Sequence, residues 1–148
     1  MRLSRNFALE EFERSQTAAR RGVNNAVPGD LLPNLQRLVD QVLQPLRDEF
    51  GPVQITSGYR CPALNRYVGG SPRSQHMQAL AADLVIVDHE PVEICEWIAG
   101  SSLPFDQLIH EFGRWTHVSV AAAGDVPRRQ LLTIDRHGTR AGLHAARL

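Results

Sequence analysis

The sequence predicts an α+β fold in which N-terminal helices pack on a small, mainly antiparallel sheet. Helical hydrophobic periodicity is strongest in the first third of the chain, whereas short apolar runs typical of strands dominate the rest. Two of these runs flank a three-residue turn and therefore predict a hairpin, and repeated strand–helix units are missing from the pattern. At 148 residues, the chain fits a single domain over 1–148.

The clearest element is a helix over residues 31–46, where apolar side chains recur at three- and four-residue steps. Pro33 suits the first helical turn, because the missing N–H would be unpaired there in any case. Pro45 is expected to kink or end the helix. Gly51-Pro52 is expected to stop it completely.

The remaining elements follow from shorter patterns and from Gly and Pro breakers. Helices are predicted at 8–15, 62–68 and 91–99. Strands are predicted at 53–56, 84–87, 105–111, 115–120 and 130–134, the last as an edge strand. Residues 20–29 are expected to form a loop, because they are rich in Gly, Asn and Pro.

Composition and charge exclude several classes of partner. Sixteen basic residues balance sixteen acidic ones, so the chain lacks the strongly basic character of nucleic-acid-binding proteins. It has neither a polybasic run nor the roughly 20 consecutive apolar residues of a membrane helix. We therefore expect no nucleic-acid partner and no membrane partner. We also expect the protein to be a monomer.

Two segments, 74–83 and 111–120, carry residues suited to metal chemistry. Asp83 begins a predicted apolar strand, and His76 lies seven residues before it in a loop rich in Gly, Ser and Pro. His117 lies in the middle of another predicted strand. Two histidines and one carboxylate form the protein ligand set of a catalytic zinc, with the fourth position open to water. Taken singly, each residue is more often structural, so the spacing alone leaves both interpretations open.

A family resemblance rests on three groups of residues. Ser74, His76, Ala81 and Asp83 fit the pattern Ser-x-His-x-x-Gly-x-Ala-x-Asp, and Trp115 and His117 fit a later Trp-x-His strand. Upstream stand the segment Ile55-Thr56-Ser57-Gly58-Tyr59-Arg60 and the N-terminal residues 7–18. In this combination, the chain resembles the zinc D-alanyl-D-alanine carboxypeptidase family, which includes many phage endolysin peptidases. The resemblance implies the hedgehog/DD-peptidase fold and one zinc ion per chain, held by His76, Asp83 and His117.

The resemblance also implies residues that bind substrate. Arg60 stands in the Ser-Gly-Tyr-Arg segment, and its guanidinium can make two parallel hydrogen bonds to a peptide carboxylate. Ser74 is expected to donate a hydrogen bond to the substrate, and Ser57 is a further candidate. Trp115 is interpreted as a pocket wall, because the two-residue period of a strand places it on the same face as His117.

The sequence departs from the family pattern at two positions. Ala79 stands where the family has glycine, so a positive φ there would be strained. Arg114 stands three positions before His117, where many members carry the acidic general base. The nearest carboxylate is Glu111, six positions before His117, a spacing that resembles the related hedgehog signalling domain. We therefore assign Glu111 as the general base, with a solvated strand-end carboxylate as its alternative.

The function implied by the resemblance is zinc-dependent hydrolysis of amide bonds in peptidoglycan stem peptides, as by a D-Ala-D-Ala carboxypeptidase. Zinc would lower the pKa of its water ligand towards about 7, and Glu111 would carry a proton from that water to the leaving amine. An L-alanyl-D-glutamate endopeptidase (endolysin) suits the same site. A non-catalytic, zinc-containing cell-wall-binding or phage structural module is the other alternative, because hedgehog-like domains keep this site without peptidase activity.

The four other histidines are not expected to be ligands, and His89 lies beside a predicted turn. His110 lies on the opposite face of its strand from Glu111. His137 and His144 lie in a polar tail that is expected to be solvated or frayed.

The two cysteines and the N-terminal residues are informative about the cellular compartment in which the protein is made and acts. Cys61 and Cys95 are either small buried side chains or one disulfide. The N-terminal residues lack the apolar core of a secretory signal. We expect a protein made in the cytoplasm that acts on the cell wall, with phage-type release through a membrane lesion as one route.

Overall fold

The fold is α+β, as predicted, in a computed structural model that describes residues 1–145 and 147. The predicted domain range of 1–148 includes residues 146 and 148, which lie outside the described residues. The α-helices are α1 Leu9–Glu13, α2 Gln16–Arg21, α3 Leu32–Leu38, α4 Gln44–Phe50, α5 Pro62–Tyr67 and α6 Pro91–Gly100. The strands are β1 Gln54–Ser57, β2 Ala81–Val85, β3 Phe105–Glu111, β4 Trp115–Val120, β5 Gln130–Asp135 and β6 Gly138–Ala141. They form one sheet in the order β1-β2-β4-β3-β5-β6, in which only the β3–β5 pair is parallel.

The long N-terminal helix forms, but it runs past Pro45 to Phe50. Pro45 does not end the helix, so that part of the prediction is wrong. A π-helical segment, Val39–Leu43, joins α3 to α4, and Pro45 lies in the first turn of α4. The change in hydrogen-bond pattern just before Pro45 accommodates its missing N–H and its ring. The helix then ends at Gly51, whose φ of +89° favours glycine.

This helix supplies the apolar layer under the sheet. One side of it is buried from the second turn of α3 to the first turn of α4, with side chains at Leu35, Leu38, Val39, Val42, Leu43 and Leu46. They share one core cluster with Leu84 of β2 and with Val118 and Val120 of β4. The opposite face of β2 and β4 is therefore free to carry polar groups.

The C-terminal part of the sheet differs from the prediction. β5 is not an edge strand, because it lies between β3 and β6. The tail predicted to be solvated or frayed is mostly exposed but not frayed: it forms β6, which pairs with β5 after a turn that leads into Gly138, where φ is +112°. Beyond β6, the His144 backbone N–H donates to Thr133, and its carbonyl lies 2.8 Å from Nδ1 of the buried His110.

Smaller differences concern helix ends and cysteines. The loop predicted from residue 20 begins at Gly22, because α2 extends through Arg21. Both cysteines are free, so the disulfide alternative does not form. Cys95 is buried, whereas half-buried Cys61 caps α5 by accepting a hydrogen bond from the Leu64 N–H. None of the helices within residues 1–145 is both long and apolar enough to cross a bilayer.

Candidate functional site

Neighbouring strands place two of the predicted ligands side by side. Asp83 of β2 pairs with His117 of β4, and residues paired across strands project from the same face of the sheet. Asp83 lies inside β2 rather than at the start of a strand, because β2 begins at Ala81, three residues earlier than predicted. His76 comes from a short 3₁₀ turn, Gln75–Gln78, directly before β2.

The structure brings the three predicted ligands together. One possible ligand atom from each of His76, Asp83 and His117 lies within 4.8 Å of the others, and all three residues are buried. Asp83 Oδ1 is 2.9 Å from His117 Nδ1 and 3.4 Å from His76 Nε2. Ligands of a tetrahedral zinc at about 2.0–2.2 Å are roughly 3.3 Å apart, so only small adjustments would admit the ion.

The tautomer of His76 follows from its other contact. Its Nδ1 lies 2.7 Å from the Gly58 carbonyl oxygen, which can only accept, so Nδ1 carries the proton. Burial holds the pKa of His76 below its ordinary value, which keeps the ring neutral. The Nε2 lone pair therefore faces the Asp83 carboxylate, and this buried atom has no hydrogen-bond partner. A cation between the two atoms would satisfy both, so the donor set fits zinc.

Two carboxylates at this site have opposite pKa shifts. Burial alone would raise the pKa of Asp83, but its hydrogen bond with His117 and the proximity of the His76 ring hold that pKa below its ordinary range. Burial and the charge of Asp83 together raise the pKa of Glu111. Glu111 Oε1 lies 3.9 Å from His117 Nδ1. Asp83 is thus ionised, as a metal ligand would need to be, and Glu111 has the environment of a proton-transfer group.

A cleft of about 610 Å³ surrounds the three ligands and Glu111. Of the predicted substrate-binding residues, Arg60, Ser74 and Trp115 line it. The ring of Trp115 packs 5.5 Å from that of Phe112, also in the cleft lining.

The predicted substrate-binding residues also have structural contacts. Arg60 donates to Asn65 Oδ1 at 3.1 Å, and the Ser74 hydroxyl accepts a hydrogen bond from the His76 N–H. The cleft lining does not include Ser57, which lines a separate cavity of about 420 Å³ that shares Arg60. The substrate-binding roles of these four residues stay predictions.

The turn that carries His76 closes in a strained conformation. Ala79, where the family pattern has glycine, adopts φ +58° and ψ +29° at the end of the 3₁₀ turn. Its N–H donates to the His76 carbonyl at 3.3 Å. A left-handed conformation costs a residue with a Cβ about 1–2 kcal/mol, so the strain predicted at Ala79 is present.

The sequence does not predict two residues that shape the site. The carbonyl of Gly58 orients His76. Gly58 stands in the Ser-Gly-Tyr-Arg segment, so the family resemblance of that segment could have indicated it. Arg128 lines the cleft from the connection before β5, where no motif points to it.

Substituting Gly58 by alanine is expected to destabilise the protein and disturb His76. A Cβ at this position would lie 2.6 Å from Phe12 Cα and 2.7 Å from Phe12 O, both of which are backbone atoms. We expect Gly58→Ala to lower the free energy of unfolding by about 1–3 kcal/mol in urea titrations. Gly29→Ala is the matched control, because a Cβ there meets nothing within 4 Å. Equal stability of the two variants would contradict the close approach.

Comparison with known proteins gives one family match. A family model described as Peptidase M15 matches residues 5–119 of the chain. The matched range includes the three candidate ligands and Glu111. No curated protein matches the chain significantly.

Proposed function

Because the chain belongs to the Peptidase M15 family, we propose that it hydrolyses amide bonds in peptidoglycan stem peptides with a zinc ion. Family membership, which the motifs predicted, supports a zinc-dependent peptidase acting on a peptide substrate. The observation that carries the proposal is the buried cluster of His76, Asp83 and His117, with Glu111 beside it in an open cleft. Every one of these groups comes from a single chain, which suits a monomer.

The residues of the chain divide the chemistry among them. A bound zinc ion supplies an acidified water and polarises the scissile carbonyl. Glu111, as a carboxylate with a raised pKa, accepts a proton from the attacking water and delivers it to the leaving amine. The Gly58 carbonyl fixes the orientation of the His76 ring, which keeps its Nε2 directed at the site.

The bond that we favour is a C-terminal D-Ala-D-Ala bond. Arg60 lines the cleft and has no carboxylate partner among the described residues, so its guanidinium can bind the terminal carboxylate of such a peptide. A second candidate is the L-alanyl-D-glutamate endopeptidase reaction. The extension of the cleft from Arg60 to Arg128 favours it, because an endopeptidase must hold substrate residues on both sides of the bond. In either case, the protein must reach the cell wall, for which phage-type release is our proposed route.

A peptide assay tests the proposal and separates the two bonds. The zinc-loaded protein would be incubated with a stem pentapeptide ending in D-Ala-D-Ala and with purified peptidoglycan. Mass spectrometry would then identify the released products. We expect free D-alanine if the protein is a D-Ala-D-Ala carboxypeptidase. We expect new C-terminal L-alanine if it is an L-alanyl-D-glutamate endopeptidase. A chelator should stop release, and added zinc should restore it. Absence of release under every metal condition would favour the non-catalytic wall-binding module.

A further inference from the structure

An arginine at the rim of the cleft is held rigidly by a buried carboxylate. Arg128 Nε lies 3.2 Å from Oδ1 and 3.1 Å from Oδ2 of Asp106, and Arg128 NH2 lies 2.7 Å from Oδ2. Its backbone N–H also donates to Oδ1 at 2.9 Å. Asp106 is buried, whereas 55% of the Arg128 side chain is exposed. This contact therefore fixes the guanidinium plane at an accessible position.

The guanidinium keeps one bidentate edge free. Asp106 occupies the edge formed by Nε and NH2, so both hydrogens of NH1 and one of NH2 have no partner among the described residues. The edge formed by NH1 and NH2 can therefore make two parallel hydrogen bonds to a second carboxylate. Because its plane is already fixed, Arg128 would lose little conformational entropy on binding.

The same cluster is connected to the candidate metal centre. Gln75 Nε2 donates to Asp106 Oδ2 at 3.1 Å, and Gln75 directly precedes His76. Both Gln75 and Arg128 line the cleft that contains the three ligands.

Strand order places Arg128 and Arg60 on opposite sides of the ligands. Arg60 follows β1, the ligands lie on or next to β2 and β4, and Arg128 precedes β5. On β3, Ile109 pairs with His117, and Asp106 lies three residues before Ile109. At roughly 3.3 Å per residue, Asp106 is therefore about 10 Å along the strand from the level of His117. An extended peptide covers that distance with about three residues.

We propose that Arg128, oriented by Asp106, is a specificity residue that binds a carboxylate of the substrate about three residues from the scissile bond. This inference rests on the proposed peptidase function and adds a second acidic position to the substrate. Arg128 lies outside the range matched by the family model, so the specificity belongs to this chain's own connection before β5. Asp106 acts through Arg128 and is a positioning residue.

Two matched peptides test the proposal by binding and by kinetics. One carries a carboxylate three residues from the scissile bond, and the other carries a carboxamide at that position. Binding is measured by calorimetry on the zinc-loaded Glu111→Gln protein, with Arg128→Ala, Arg128→Lys or Asp106→Asn added. We expect each added substitution to weaken the carboxylate peptide about 10- to 100-fold and to leave the carboxamide peptide unchanged. In the active protein, the same substitutions should raise KM for the carboxylate peptide at constant kcat.

The controls separate charge, folding and the peptidase function. Arg66→Ala removes one positive charge from α5 without touching the cleft, and it should change neither affinity. Thermal unfolding identifies any variant that has lost its fold, and Arg128→Lys keeps the test valid if Asp106→Asn unfolds. Equal weakening of both peptides, or no weakening of either, would overturn the proposal. Because binding is measured without turnover, a failure of hydrolysis would reject the peptidase function and leave the binding result to decide on Arg128.

Discussion

His76→Ala and His117→Ala variants are expected to lose stoichiometric zinc binding and all peptidase activity. The candidate centre has three protein ligands, and each substitution leaves two, which is below the set that holds a catalytic zinc. His76 is the more informative of the two, because its Nε2 is buried without a hydrogen-bond partner. The metal-free protein therefore carries an unsatisfied atom that binding of the ion would relieve.

Metal analysis of the purified proteins measures this effect directly. We expect about one zinc per wild-type chain and none in either variant. Zinc at 1,000 times its dissociation constant would stabilise the wild-type fold by about 4 kcal/mol, and this rise in unfolding temperature should vanish in both variants. His89→Ala is the control, since His89 lies 2.9 Å from Glu93 and outside the cleft. A His76→Ala protein that retains one zinc per chain would rule out this centre.

Local patterns were sufficient to predict most helices and strands. The hairpin of β3 and β4 has the predicted bounds, because two strand-like segments flank a three-residue turn with Gly113 at its centre. The errors occur where the neighbours of a segment decide its structure. Pro45 is tolerated because the preceding turn widens, and β5 is interior only because the polar C-terminal tail folds back as β6. Neither event has a periodic signal in the sequence.

The site shows the same division between local and long-range information. His76, Asp83 and His117 were predicted because their spacing resembles a known pattern. Sequence spacing could not place Asp83 opposite His117, since register across β2 and β4 depends on the whole sheet. Ser57, the further candidate beside Ser74 for substrate binding, lines a different cavity. The hydrogen bonds between Asp106 and Arg128 join residues 22 positions apart, so no local motif could indicate them.

Glu111→Gln is expected to remove nearly all turnover while leaving zinc bound. Glu111 is not one of the three clustered ligands, so its loss as a carboxylate does not remove a metal contact. The amide has almost the same shape but cannot accept a proton at neutral pH. Positioned general acid–base groups contribute about 10²- to 10⁴-fold, and we expect kcat to fall by that factor. The measurement is steady-state peptide hydrolysis, with metal analysis on the same sample.

Stability measurements distinguish this loss from a damaged fold. Burial and the charge of Asp83 raise the pKa of Glu111, so the ionised group destabilises the folded state above that pKa. Removing the charge should therefore leave the unfolding temperature at neutral pH unchanged or higher, whereas a structural carboxylate would lower it. Glu93→Gln, on the exposed face of α6, is the matched control and should keep full activity. If Glu111→Gln hydrolyses peptide at the wild-type rate, another group must move the proton. Glu111 would then be only a solvated carboxylate at the end of β3.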